Sequence, residues 1–255
     1  MPAILTLSLH GPTDHISPFA HINGLRALVL RWLAAADAEL ATAIHDDSGV
    51  NPYTIGPLLP AAEGRWTCRI ALLTDGLLPY LLAGVESRGI QLLLGKMPFT
   101  LCTEETVLEG LEWEELLTPL AQPTAHWQVN LLTPTAHHRT GAQRHVLLTP
   151  EPHAYFSGWL RRWNRWSPFP LDETLLELVD EHVVVSEFNG QTRRIAIERP
   201  FIGFVGAVTL HWPRPTPLDH DARAALTLLA RWSSLCGTGV DTARGMGQTR
   251  YVAAS

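Results

Sequence analysis

Apolar and polar residues alternate through Ala3-Ile-Leu-Thr-Leu-Ser-Leu-His10, which predicts a half-buried strand. A loop with Pro12, Asp14 and Pro18 follows, and then the period changes. From about Asn23, Leu25, Leu28, Val29 and Trp32 recur at helical spacing. Asp37 reads as the cap of a second short helix that carries Leu40 and Ile44 and stops around Gly49. Tyr53 to Leu59 and Arg65 to Leu73 predict strands, and Leu77 to Ser87 a helix with Pro79 in its first turn. Ile90 to Cys102 reads as extended chain and Glu104 to Leu117 as an acidic strand or loop.

The order β-α-β-β-α-β is that of the ferredoxin-like unit. Leu117-Thr-Pro-Leu-Ala-Gln-Pro-Thr124, with two prolines, reads as a linker, after which the pattern restarts. Trp127 to Thr133 and Arg144 to Leu148 have strand character, and Glu151 to Trp166 is helical. Val183 to Phe188 and Arg193 to Ile197 flank Asn189-Gly190, a hairpin signal. Phe201 to Trp212 predicts a strand, Leu218 to Leu235 an amphipathic helix, and Gln248 to Ala253 a short last strand. The expected fold is α+β: two tandem ferredoxin-like (βαββαβ), RRM-like halves, residues 1–122 and 123–255.

Composition narrows the setting. With 46% hydrophobic and 17% charged residues, the 255-residue chain can bury a substantial core and is not a disordered one. Three widely spaced cysteines, Cys68, Cys102 and Cys236, are no disulfide framework and suit a reducing compartment. The N-terminus has no signal-peptide pattern, and no apolar run nears the roughly 20 residues of a membrane span, so a cytoplasmic protein without a membrane partner is expected.

Charge is uneven. Up to Pro123 there are six basic and fourteen acidic residues, a net of −8; beyond it, thirteen and eleven, a net of +2, together the overall −6. Of the nineteen basic residues only Lys96 is a lysine. Arginine's planar donor fork suits phosphate and stacks on bases, which permits nucleic-acid binding, although a genomic codon bias produces the same preference.

Two segments of the second half carry candidate chemistry. Trp159-Leu-Arg161-Arg162-Trp163-Asn-Arg165-Trp166 interleaves aromatics with arginines; the tryptophans share one helical face and read as core, while the arginines are candidates for RNA. Gly237-Thr-Gly239-Val-Asp-Thr-Ala-Arg244-Gly245-Met-Gly247-Gln248-Thr-Arg250 packs four glycines into eleven residues. Such a loop permits close backbone approach and an anion-binding nest, or serves simply as a helix-to-strand turn. It is neither a dinucleotide fingerprint nor a P-loop. No histidine spacing matches a zinc site, and Glu112, Glu114 and Glu115 read as a solvated face, so no metal or cofactor is expected.

That glycine-rich loop before the last strand resembles the one in the CRISPR-associated endoribonucleases that process CRISPR RNA precursors, the Cas6 family of the RAMP superfamily. At the other end, Asp37-Ala-Glu-Leu-Ala-Thr-Ala-Ile-His45-Asp leading into Asn51-Pro-Tyr-Thr-Ile-Gly-Pro-Leu58 is similar to the family's helix and "Pro-Phe-Thr-x-Ser-Pro-Leu" strand. The resemblance implies the tandem ferredoxin-like fold. It also implies a metal-independent endoribonuclease that cuts CRISPR repeat RNA by attack of its own 2′-hydroxyl, leaving a 2′,3′-cyclic phosphate and a 5′-hydroxyl. Catalysis is expected from His45, with His21 as a second acid or base. RNA binding is expected from Gly237, Gly239, Arg244, Gly245, Gly247, Gln248 and Arg250 of the loop, and from Arg161, Arg162 and Arg165.

Imidazole titrates near neutrality and so suits both proton transfers. The Tyr and Lys that some members use have no counterpart here, where Leu30 and Asn51 stand. Charge stabilisation falls instead to Arg26, Arg31 or an arginine of the loop. The partner implied is CRISPR repeat RNA, with subunits of a CRISPR effector complex as further partners, for a monomer or homodimer. A guide-RNA-binding subunit that does not cut is the competing reading.

Overall fold

The alternation of the first strand is realised as β1 (Ala3–His10), whose Leu5, Leu7 and Leu9 are buried. It is followed by α1 (Ile22–Ala36), α2 (Ala38–Asp46), β2 (Tyr53–Ile55), β3 (Leu59–Ala62), β4 (Arg65–Leu72), α3 (Leu77–Arg88), β5 (Gln91–Leu94), β6 (Met97–Leu101) and β7 (Val107–Gly110). The computed structural model describes the chain apart from residues 14–16, 48–49, 63, 118–122, 139–145, 197–199 and 254–255. Two compact units emerge. The first comprises Met1–Glu112 with Ala243–Gly245, the second Trp113–Thr242 with Met246–Ser255. The boundary expected at residue 122 lies outside the described residues.

In the first unit β1 is central. It runs antiparallel to β4 from Ala3 opposite Leu72 to His10 opposite Arg65, and meets β6 and β7 on its other edge. The sheet order β2-β4-β1-β6-β5 is the ferredoxin-like one. Leu25, Leu28, Val29 and Trp32 of α1 are buried, as their spacing predicts. Asp37 ends α1 and caps α2, accepting a hydrogen bond from the Leu40 amide at 2.9 Å. The strand expected at Tyr53 to Leu59 is broken in two: the Gly56 amide still donates to Arg69 of β4, but the Leu58 amide turns to Pro18 in the loop before α1. The acidic stretch resolves into a 3₁₀ turn at Thr103–Glu105, β7 and α4 (Trp113–Leu117).

The second unit continues with β8 (His126–Thr135), β9 (His137–His138), β10 (Val146–Leu147), α5 (Pro152–Trp166), α6 (Leu175–His182), β11 (Val184–Ile195), β12 (Phe201–His211), α7 (His220–Cys236) and β13 (Thr249–Val252). Its sheet order, β11-β12-β8-β13, repeats the ferredoxin-like pattern. Trp159, Trp163 and Trp232 are fully buried, and the Trp159 and Trp127 indoles donate to Thr238 and Thr227.

Asn189-Gly190 is not a hairpin turn. It lies in the middle of β11, where Gly190 sits opposite Gly206 of β12. A Cβ on Gly190 would come 2.2 Å from the Val205 carbonyl oxygen, so the glycine serves close strand approach rather than a turn. The reversal between β11 and β12 comes after Ile195.

Candidate active site

In the first unit, α2 carries His45 in its last turn. The ring is exposed, and its Nδ1 lies 3.0 Å from the Asp46 carboxylate, which orients the imidazole and leaves Nε2 to solvent.

His21 occupies the N-cap position of α1 but makes no capping bond with its side chain. Its ring meets Phe99 edge-on at 5.8 Å and hydrogen-bonds the Leu94 backbone, and Nε2 is buried without a partner among the described residues. Burial pulls its pKa below the ordinary histidine value, only partly offset by the Leu94 bond, which favours the neutral ring. The two histidines share no hydrogen bond or ring contact.

Tyr53 is a site residue that sequence reasoning missed. Residues 52–58 are buried, and the Tyr53 side chain is fully enclosed. Its hydroxyl is buried without a hydrogen-bond partner among the described residues, and it feels the charges of Arg26 and of Arg244, which falls within the first unit with Ala243–Gly245. Burial raises the phenol's pKa, and the two arginines partly oppose that. The available signal was a tyrosine in a mostly apolar segment, which marks a phenol set into the core. Of the three sources of positive charge considered, Arg26 and Arg244 both act on this buried group. Arg31 does not join them; it donates to the Ala27 and Leu93 carbonyls.

The glycine-rich loop is a folded part of its core. Gly237 has φ of 69° and ends α7, and the Thr238 amide donates to the Gly247 carbonyl at 2.8 Å. The Val240, Gly247 and Gln248 amides donate to Ala136, Pro134 and the Thr133 hydroxyl, and the Met246 amide to Asp241. Those five amides are therefore spent internally and do not form the nest that composition permitted. Gly237, Gly239, Gly245, Gly247 and Gln248 are buried, whereas Arg244 and Arg250 are exposed.

On α5 the arginines divide. Arg161 is exposed, and Arg165 is exposed over the Trp166 ring at 5.1 Å. Arg162 corrects the expectation that it binds RNA: it is only 6% exposed and donates to the Gly158 and Gly239 carbonyls, bracing the loop from within. Its place at i+3 from Trp159 turns it into the core face.

Among the described residues no group of three or more His, Cys, Asp or Glu side chains is gathered as a metal site, and no helix is long and apolar enough to cross a membrane.

Residues 129–249 match the family model of the CRISPR-associated endoribonuclease Cas6. A search of curated proteins finds no match. Among solved structures, a Thermus thermophilus Cas6 in a product complex is 25% identical, with 99% of this chain and 100% of that chain covered and a TM-score of 0.85. A second Cas6 product complex is 27% identical, with 99% of each chain covered and a TM-score of 0.78. The fold is also that of an RAMP protein binding different RNA substrates, 11% identical, with 98% of this chain and 100% of that chain covered and a TM-score of 0.59.

Proposed function

We propose that this chain, similar to Cas6 over residues 129–249 and in its fold, is a CRISPR-associated endoribonuclease that cleaves CRISPR repeat RNA at one phosphodiester without a metal. The observation that supports it most is His45, exposed at the C-terminal end of α2 with Nδ1 held by Asp46. The upstream 2′-hydroxyl attacks the phosphorus, the 5′-oxygen leaves, and a 2′,3′-cyclic phosphate and a 5′-hydroxyl remain. His45 moves a proton at Nε2, to the leaving oxygen or from the nucleophile. The lowered pKa of His21 suits it to the part of a base. Arg26 and Arg244, whose charges both reach the Tyr53 hydroxyl, offset the negative charge that the phosphorane builds up. Rigid positioning for in-line attack does the rest.

The test is cleavage of the repeat RNA from the protein's own genome by wild type and His45→Ala. The variant should cut roughly 10²–10⁴-fold more slowly while binding the RNA nearly as well. Equal rates would remove His45 from the mechanism. Binding without cleavage by the wild type would favour the guide-RNA-binding subunit instead.

A further inference from the structure

A recess in the first unit lies away from Tyr53 and His45. It measures about 220 Å³ and is walled by Leu28, Arg31 and Trp32 of α1, Arg88 at the end of α3, and residues 91–93 of β5. Beside it α3 packs closely on α1: a Cβ on Gly84 of α3 would come 2.0 Å from the Trp32 carbonyl oxygen, so only glycine lets the helices close there.

Its charged lining is basic. Arg88 has no carboxylate or other partner among the described residues, and Arg31 spends two of its five N–H groups on backbone carbonyls. The Trp32 indole N–H is buried with no acceptor, in a side chain fully closed to solvent. The Gln91 carbonyl oxygen already accepts from the Thr100 hydroxyl at 3.3 Å, which leaves its amide N–H₂. No carboxylate lines the recess. In a half of the chain with six basic and fourteen acidic residues, two of those six bases converge here.

Donors without acceptors select an anion. The apolar wall of Leu28, Leu92 and Leu93, with guanidinium faces beside it, selects a flat ring as well. A volume below the roughly 300–1,000 Å³ of a drug-sized site suits a single residue of a polymer. We infer that this recess is a second RNA-binding subsite, holding one nucleotide of the single-stranded repeat away from the scissile bond, with its phosphate on Arg31 and Arg88. The inference rests on the proposed function, because it takes repeat RNA as the ligand.

The experiment uses repeat RNA carrying a 2′-deoxy nucleotide upstream of the scissile phosphate, shortened one nucleotide at a time from either end. Affinity is measured for wild type, Arg88→Glu and Arg88→Lys. One shortening step should cost the wild type roughly tenfold in affinity, the scale of a charge-assisted hydrogen bond. Arg88→Glu should bind the full RNA roughly tenfold more weakly and lose that step, and Arg88→Lys should keep most of it. The salt slope of log affinity should fall by about 0.7 in Arg88→Glu. Arg88 is an exposed residue at a helix end, so the variants fold. Wild-type affinity in Arg88→Glu, or the same step at the same nucleotide, overturns the subsite alone. A wild-type protein that binds no repeat RNA overturns the proposed function with it.

Discussion

The Arg162 guanidinium donates through Nη2 to the Gly239 carbonyl oxygen, 2.5 Å away. A second bond from Nη1 reaches Gly158 on its own helix, and no carboxylate neutralises the charge among the described residues. The side chain thus joins α5 to the glycine-rich loop as a buried structural cation. Burial lowers its pKa, with the neighbouring Arg161 charge acting the same way.

Arg162→Ala should therefore destabilise the protein by about 1–3 kcal/mol, the cost of leaving a buried carbonyl unsatisfied, before any effect on RNA is considered. Arg161→Ala, one position along on the exposed face, should leave the denaturation midpoint unchanged. Equal midpoints for wild type and Arg162→Ala would show that the buried bond contributes nothing.

Two glycines of the loop should respond differently. Gly247 has φ of 63°, and a Cβ there would lie 1.9 Å from the Thr238 carbonyl oxygen, a backbone atom that cannot step aside. Gly245 has φ of 78°, but its nearest obstacle is the flexible Ile22 side-chain tip at 2.6 Å. Gly247→Ala should cost roughly 3 kcal/mol or more in stability, and Gly245→Ala about 1–2 kcal/mol. A thermal melt of both variants decides it, and a Gly247→Ala melt no lower than that of Gly245→Ala contradicts the geometry.

The sequence carries the fold well where periodicity has one meaning. Alternation in β1 and helical spacing in α1 each have a single interpretation, and Asp37 caps α2 as its type demands. It misleads at Asn189-Gly190, because a glycine that allows a turn equally allows two strands to touch, and only the partner Gly206, sixteen positions away, settles which. It is silent on α6, whose two buried residues, Leu175 and Val179, span a single turn, too short for a period to emerge. The candidate site divides likewise. His45 is legible because the motif around it is local. The joint influence of Arg26 and Arg244 on Tyr53 is not, because it spans more than two hundred residues of chain.

A buried histidine makes stability depend on pH. His137 stacks on Tyr155 at 5.1 Å, and burial, reinforced by the Arg162 and His138 charges, pushes its pKa down to about 4. In the unfolded chain it titrates near 6.5, so between those values the unfolded state binds the extra proton. The contribution is complete above pH 6.5 and is lost as pH falls towards 4, by about 3 kcal/mol in all. His137→Phe keeps a ring against Tyr155 without the proton. Between pH 7.5 and 4.5 it should lose less stability than wild type, and identical losses would rule out this cause.

The origin of the nucleophile separates the cleavage mechanism from its rivals. A repeat RNA with one 2′-deoxy nucleotide immediately upstream of the scissile phosphate should bind nearly as well as the native RNA but resist cutting, and a chelator should not slow cutting of the native RNA. Removing one oxygen deletes the attacking group while leaving the phosphates that Arg26 and Arg244 would contact. The internal hydroxyl needs only alignment and proton transfer, which His45 and a rigid scaffold can supply. An activated external water would instead call for a strong Lewis acid or a dedicated base aligned opposite the leaving oxygen. A metal-dependent hydrolase would cut the deoxy RNA and stop with chelator, and a passive RNA-binding subunit would cut neither RNA. Cleavage of the deoxy RNA at the same phosphate would therefore overturn the 2′-hydroxyl mechanism even if His45→Ala were inactive, since a histidine can serve either nucleophile.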